Sequence, residues 1–167
     1  MPPVSHATSE SRGAGRWLLR FEVHLPCSDE ALWPALTTPE GLRTWLGEAD
    51  VLERRLGGDV TLRLRGGGPS VSGRVTAWDV ERVAEYTVTG YGRIRFHLER
   101  VGTDSTVIRF LNERTGTDEE RLDALAAWHH RFELLEAALQ GDPAHRPHWT
   151  DARWAELRAS YAAFSGA

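Results

Sequence analysis

His129 is the polar residue in this sequence that is best placed for a catalytic or binding role, because it borders an apolar stripe and two glutamates follow it. Glu133 and Glu136 lie four and seven residues further on, a spacing that puts all three side chains on one face of a helix. A partly buried imidazole beside a carboxylate can act as a general base or anchor a ligand carbonyl. The alternative is a helix-surface histidine whose neighbouring glutamates point to water. Tyr86 or Tyr91 can supply a hydroxyl to the same site.

Other reactive residues occur in patterns that argue against a catalytic or metal-binding role. His97 and Glu99 form the H-x-E element of zinc deaminases, but the P-C-x-x-C that supplies the other ligands is absent. His145 and His148 lack the spacing of a structural zinc motif, and no cysteine pair supports them. Cys27 precedes a predicted helix, where a thiol pKa can fall, yet no partner histidine is identifiable. The sequence therefore predicts no metal site and no cofactor.

The element that must position His129 is a predicted helix over residues 119–141. Its apolar residues recur at steps of three and four, which is typical of an amphipathic helix; they are Leu125, Trp128, Phe132, Leu135 and Leu139. Thr117 or Asp118 can cap its start, and Gly141 can end it. Such a stripe needs a partner surface, and the preceding sequence favours a sheet.

Alternating apolar and polar residues predict strands through most of the chain before this helix. A first strand at 16–25 is followed by two short helices at 29–36 and 39–47. Strands separated by tight turns then continue to residue 114, which implies antiparallel neighbours. The glycine runs at 57–58 and 66–68 lack the Lys-Ser/Thr of a phosphate loop and are predicted to be hairpin turns. A last amphipathic helix begins near Thr150.

Composition limits the classes of partner. The 20 basic residues are all arginine and are spread along the chain, and the net charge is −4, so nucleic-acid binding has no electrostatic support. No apolar run is long enough for a membrane helix, and the single cysteine favours a reducing, cytoplasmic location. We expect a disordered tail at 1–15, one domain at 16–141, and a linker with a helix packing on that domain at 142–167.

The order of elements is similar to the helix-grip fold (Bet v-like/START-like). The segment DEALWPALTTPEGLRTWLG resembles the W-x-A-L-T-x-P-E-x-L-x-x-W-x-G opening of bacterial SRPBCC proteins related to the activator of heat-shock chaperone ATPase. The match is carried by Trp33, Ala35, Leu36, Thr37, Pro39, Glu40, Leu42, Trp45 and Gly47. This resemblance implies an α+β fold in which a curved antiparallel sheet of about six or seven strands wraps a long C-terminal helix, with two short helices after the first strand.

A helix laid on a concave sheet often leaves an apolar cavity, so we predict that an apolar or amphipathic small molecule binds there. The predicted lining is Leu62, Val75, Tyr86, Phe96, Leu98, Leu125, Trp128, His129 and Phe132. The alternatives are a filled core, a cyclase or hydrolase with His129 as base, and a co-chaperone-like module. Binding is favoured over catalysis. The partners allowed by the resemblance are a small hydrophobic ligand, a second copy in a homodimer, and a chaperone or transcriptional regulator, with no nucleic acid and no membrane.

Overall fold

A single antiparallel sheet of eight strands dominates the computed structural model, which describes residues 4–66, 68–141 and 148–165. Spatially the strands follow the order β1-β2-β8-β7-β6-β5-β4-β3. The strands are β1 Thr8–Gly13, β2 Arg16–Leu25, β3 Gly47–Leu52, β4 Asp59–Leu64, β5 Val71–Asp79, β6 Val83–Val88, β7 Gly92–Gly102 and β8 Ser105–Thr115. The helices are α1 Asp29–Thr37, α2 Pro39–Arg43, α3 Asp118–Gln140 and α4 Asp151–Ser165. This architecture is the α+β helix-grip fold that the sequence predicted.

From residue 4 onward, the N-terminal segment corrects the predicted disordered tail at 1–15, of which residues 1–3 lie outside the described residues. Residues Thr8–Gly13 form an edge strand antiparallel to β2, and Val4 is only 4% exposed and bridges Val23. The strand raises the number of strands to eight, from the six or seven expected. Its polar side chains gave no apolar alternation, but the ladder is made by backbone groups that every non-proline residue carries.

The sequence motif that forms α1 and α2 has a structural role. Ser28 Oγ accepts a hydrogen bond from the Ala31 N–H at 3.2 Å and so caps α1. Gly41 lies so close to α1 that a Cβ there would collide with the backbone oxygen of Pro34. The glycine at position 41 is therefore a packing requirement between two short helices.

The long helix α3 begins with a reciprocal capping box. The Glu120 N–H donates to Thr117 Oγ1 at 3.1 Å, and the Thr117 N–H donates to Glu120 Oε1 at 2.9 Å. The helix ends at Gly141, which adopts a left-handed φ of 76°. The predicted apolar stripe faces the sheet: Leu125, Trp128, Phe132 and Leu135 are buried, and Leu139 is half-buried.

Helix α4 packs against α3. Arg158 Nε donates to Asp123 Oδ1 at 2.5 Å, and Trp154 Nε1 donates to the Asp123 carbonyl oxygen at 3.2 Å. Tyr161 is buried on the same face, whereas Phe164, in the last turn, is 71% exposed. No helix in the described part of the chain is long and apolar enough to span a membrane.

Candidate functional site

Eight of the nine predicted lining residues lie in one continuous hydrophobic core, all of them except His129. The ring centroid of Phe110 lies 4.7 Å from that of Trp128 and 4.9 Å from that of Phe132. Trp45 stacks on the other side of Phe132 at 5.7 Å. The contacts of these residues are those of a packed core, and their part in ligand binding stays a prediction.

The hydroxyl of Tyr86 has a structural role. Its hydroxyl donates to the backbone oxygen of Leu36 at 2.7 Å, and burial raises its pKa far above the ordinary value. The phenol therefore ties the end of α1 to the centre of the sheet. This bond occupies the hydroxyl proton that the sequence had assigned to a possible ligand.

His129 lies at the border of the core and is 5% exposed. Its Nδ1 is 2.7 Å from the hydroxyl oxygen of Tyr161, and the Ala7 N–H donates to that same oxygen at 2.9 Å. Burial, opposed only in part by the nearby Glu133, lowers the pKa of His129 to about 4. The imidazole is therefore neutral at pH 7 and held by a phenol on α4.

Glu133 does not serve His129 as the sequence suggested. Its Oε2 is 3.9 Å from His129 Nε2, while Arg153 binds both of its oxygens at 3.0 and 2.5 Å. Burial would raise the pKa of Glu133, but the nearby His130 ring and the hydrogen bonds from Arg153 outweigh it and lower the pKa to about 2. The carboxylate is thus committed to joining α3 to α4.

A pocket of about 610 Å³ lies elsewhere, between α3, α4 and the adjacent end of the sheet. We call it the Arg131 pocket, and its principal residues are Tyr91, Arg114, Arg131, Trp149 and Trp154. Tyr91 comes from the turn between β6 and β7, and Arg114 from the end of β8. Small residues of α3 and α4, Ala124, Ala127 and Ala155, leave the space that these longer side chains border.

Arg131 is 3% exposed and surrounded by aromatic rings. Its guanidinium carbon lies 4.9 Å from the ring centroid of Trp128, 5.5 Å from that of Trp149 and 5.9 Å from that of Tyr91. Nη2 donates to the backbone oxygen of Arg65 at 2.7 Å, and Nε finds no hydrogen-bond partner among the described residues. Burial lowers its pKa to about 10, so the group stays charged at pH 7.

Arg114 brings a second positive charge to the same pocket. Its guanidinium carbon lies 5.7 Å from the ring centroid of Tyr91, and burial lowers its pKa from the ordinary value. Within residues 4–66, 68–141 and 148–165, no carboxylate forms an ion pair with Arg114 or Arg131. The pocket therefore combines apolar walls with two arginines, and three carboxylates that line it, Glu120, Asp123 and Asp151, make no direct ion pair with them.

Sequence reasoning missed both arginines, because it assigned function to the stripe of α3 that faces the sheet. Trp149 and Trp154 are both half-buried and border the pocket. One signal was present in the sequence. Ala124, Ala127 and Arg131 recur at steps of three and four, which places two small side chains beside a long one on a second face of α3.

The remaining candidates stay apart from this pocket. Burial raises the pKa of Cys27, which is the opposite of an activated thiol. His97 is exposed on β7 and His148 is exposed before α4, while His145 lies outside the described residues. In the part of the chain that the structure describes, no three metal-ligating side chains gather in one place.

Comparison with solved structures shows what the fold is similar to. A conserved protein of unknown function from Enterococcus faecalis aligns with a TM-score of 0.76 at 17% identity, covering 96% of this chain and 90% of that one. CalU16 from Micromonospora echinospora aligns with a TM-score of 0.71 at 16% identity, covering 96% and 98%. The Aha1 dimer from Colwellia psychrerythraea aligns with a TM-score of 0.61 at 23% identity, covering 73% and 95%. At these identities the likeness shows the fold alone.

The sequence comparisons bear on the family. No curated protein matches this chain significantly in sequence. Residues 26–140, from the end of β2 to the end of α3, match a family profile over more than half of the chain. This region contains the α1–α2 motif and the whole of α3. The chain therefore belongs to the family described as Activator of Hsp90 ATPase homolog 1-like protein.

Proposed function

We propose that this protein binds an amphipathic small molecule in the Arg131 pocket. The observation that carries the proposal is the pocket itself. Its volume of about 610 Å³ lies within the range typical of small-molecule sites, and it combines indole and alanine walls with a few polar groups. A ligand of this kind matches the sequence-based prediction in its chemical character, but its proposed position is beside α3 and not beneath it.

The packing under α3 favours this position. A ligand between α3 and the sheet would have to displace rings such as Phe110, Trp128 and Phe132, which contact one another at 4.7–6.0 Å. Opening a packed core costs several kcal/mol for each large side chain that loses its neighbours. The Arg131 pocket offers space that is already present.

Binding is favoured over catalysis by the state of His129. The Tyr161 hydroxyl, which accepts the Ala7 N–H, has its own proton free to donate to His129 Nδ1. When the hydroxyl donates in this way, the bond occupies the lone pair that a general base needs. His129 also lies outside the Arg131 pocket.

The proposal is tested with N-phenyl-1-naphthylamine, an uncharged aromatic probe whose fluorescence rises in apolar sites. We expect saturable binding to the wild-type protein. Trp149→Ala removes one indole wall and is expected to weaken binding by roughly fivefold, equivalent to about 1 kcal/mol. Trp78→Ala is the matched control, because this half-buried indole packs on Trp33, away from the pocket.

Two results would overturn the proposal. One is the absence of saturable probe binding to wild type. The other is equal weakening by Trp149→Ala and Trp78→Ala, which would show that the probe reports on general loosening of the fold. Thermal unfolding of each variant, measured in parallel, verifies that the proteins compared are folded.

A further inference from the structure

We infer that the Arg131 pocket selects organic anions, in which a negatively charged group such as a carboxylate, sulfonate or phenolate is attached to a planar aromatic body. This inference rests on the proposed function, which it extends from an amphipathic ligand to an anionic one. The two guanidinium groups would recognise the charge, and the indoles would recognise the planar part.

The pairing of charged residues at the pocket favours an anionic ligand. Its acidic residues already have partners: Glu120 accepts the Thr117 N–H at 2.9 Å, and Asp123 accepts from Arg158 Nε at 2.5 Å. Asp151 Oδ1 accepts from Trp149 Nε1 at 3.2 Å. None of them forms an ion pair with the two arginines within the described ranges. Glu120 and Asp123 attract Arg114 from a distance, and a ligand anion would form the direct ion pair that these carboxylates do not.

The cost of burying the charge of Arg131 also favours a bound anion. Burying a charged group without an opposite charge is costly. Contact with the rings of Trp128, Trp149 and Tyr91 offsets only part of this cost. Each cation–π contact contributes about 0.5–2 kcal/mol. They do not satisfy the Nε–H of Arg131, which remains without a hydrogen-bond partner among the described residues. A bound anion would complete the electrostatic balance.

The two arginines are suited to different parts of this task. Arg114 is less enclosed than Arg131 and is placed at the end of β8, where its planar group can meet a carboxylate or sulfonate directly. The guanidinium of Arg131 donates to the Arg65 carbonyl at 2.7 Å. It therefore adds a second positive charge at a fixed position. An anion at Arg114 therefore feels two positive charges in surroundings of reduced dielectric constant.

The aromatic side of the pocket depends on a glycine. Gly66 has a φ of +103°, and a Cβ there would lie 2.7 Å from Cζ2 of Trp149. Only glycine lets this indole lie against the backbone after β4, where it also packs on His130 with a centroid distance of 4.6 Å. Trp149 is thereby held as a flat wall, and a planar ligand is the shape that such a wall favours.

The test compares two probes that share one ring system. 1-Anilinonaphthalene-8-sulfonate carries a sulfonate that N-phenyl-1-naphthylamine lacks. We expect wild type to bind the sulfonate about tenfold more tightly, equivalent to about 1.4 kcal/mol. Arg114→Gln is expected to weaken sulfonate binding about tenfold and binding of the uncharged probe by less than about twofold.

Matched variants separate the charge of Arg114 from its other effects. Arg114→Lys keeps the charge and is expected to retain most of the preference for the sulfonate. Arg109→Gln removes a charge from the exposed face of the same strand, where Arg109 pairs with Glu99 at 2.5 Å, and is expected to leave both affinities unchanged. Because Arg131→Gln would remove a buried side chain, the test does not depend on it.

The outcomes distinguish this inference from the function on which it rests. If both probes bind equally, or if Arg114→Gln weakens both to the same extent, anion selection is overturned while binding of amphipathic molecules stands. If neither probe binds to the folded protein, the proposed function and the anion selection fall together. Tighter sulfonate binding that Arg109→Gln and Arg114→Gln reduce equally would reflect overall charge and would also overturn the inference.

Discussion

The hydroxyl oxygen of Tyr161 lies 2.7 Å from Nδ1 of His129. The same oxygen accepts the Ala7 N–H at 2.9 Å, and the Tyr161 ring stacks on that of His6 at 4.3 Å. One buried phenol on α4 therefore holds the long helix and the segment that leads into β1. Three parts of the chain that are far apart in sequence depend on this side chain.

We expect Tyr161→Phe to destabilise the protein by about 1–3 kcal/mol, because it removes the hydroxyl and leaves two buried polar groups without their partner. Urea unfolding followed by circular dichroism measures the change. Phe164→Leu, which alters an exposed ring on the same helix, should change stability by less than about 0.5 kcal/mol. A Tyr161→Phe variant as stable as wild type would show that the hydroxyl contributes nothing.

Stability should fall as the pH drops from about 6.5 to about 4, the ordinary and the lowered pKa of His129. In this interval the unfolded chain binds a proton that the folded protein does not, so His129 contributes fully above pH 6.5 and the contribution is lost by pH 4. Its size is on the order of 2 kcal/mol after allowance for partial solvent screening. The lowered pKa of Glu133, about 2, acts at still lower pH.

The measurement is urea unfolding at several pH values for wild type and His129→Gln. The variant keeps a side-chain oxygen that can accept from Tyr161 but has no titrating group. The difference in unfolding free energy between the two proteins should change between pH 6.5 and 4 and be constant at higher pH. His24→Gln, at an exposed position on β2, should show the pH dependence of wild type.

Gly66→Ala should weaken binding of N-phenyl-1-naphthylamine by roughly fivefold, comparable to removing the indole. The added methyl group would occupy the position against which Trp149 packs, and the ring would have to move. Gly57→Ala is the matched control, because Gly57 also has a positive φ, of +80°, but nothing lies within 4 Å of its added Cβ. Equal effects of the two substitutions would assign the loss to backbone strain.

Phe132→Ala should cost about 3–5 kcal/mol of unfolding free energy, as is typical of a large aromatic side chain in a packed core. Phe132 contacts rings on three sides, among them Trp45 at 5.7 Å and Phe110 at 4.9 Å. Chemical denaturation measures the loss. A cost below about 1 kcal/mol would indicate that Phe132 borders open space, as the sequence-based prediction of an interior cavity requires.

The local parts of the structure were predictable because their determinants lie within a few residues of one another. The capping box of Thr117 and Glu120 and the end of α3 at Gly141 each depend on a single turn of chain. The alternation in β7 likewise follows from side chains two residues apart. The helix-grip fold itself was predicted from the order of the elements and from the family resemblance that the α1–α2 motif carries.

The first strand was not predictable in this way. Thr8–Gly13 is polar throughout, and its place at the edge of the sheet comes from backbone pairing with β2. Whether a polar segment pairs with an edge depends on the position of that edge in the folded protein. Residue pattern alone could not distinguish this segment from a disordered tail.

The sequence by itself determined the elements after β1, their order and the face of α3 that turns inward. Only the tertiary structure decided that this inner face is a packed core and that space remains beside it, since volume depends on how side chains from different elements interdigitate. The Arg131 pocket assembles Gly66, Tyr91, Arg114, Arg131 and Trp149, which come from five separate parts of the chain. Their convergence follows from the packing of α4 and the strand ends around α3, which no local spacing in the sequence specifies.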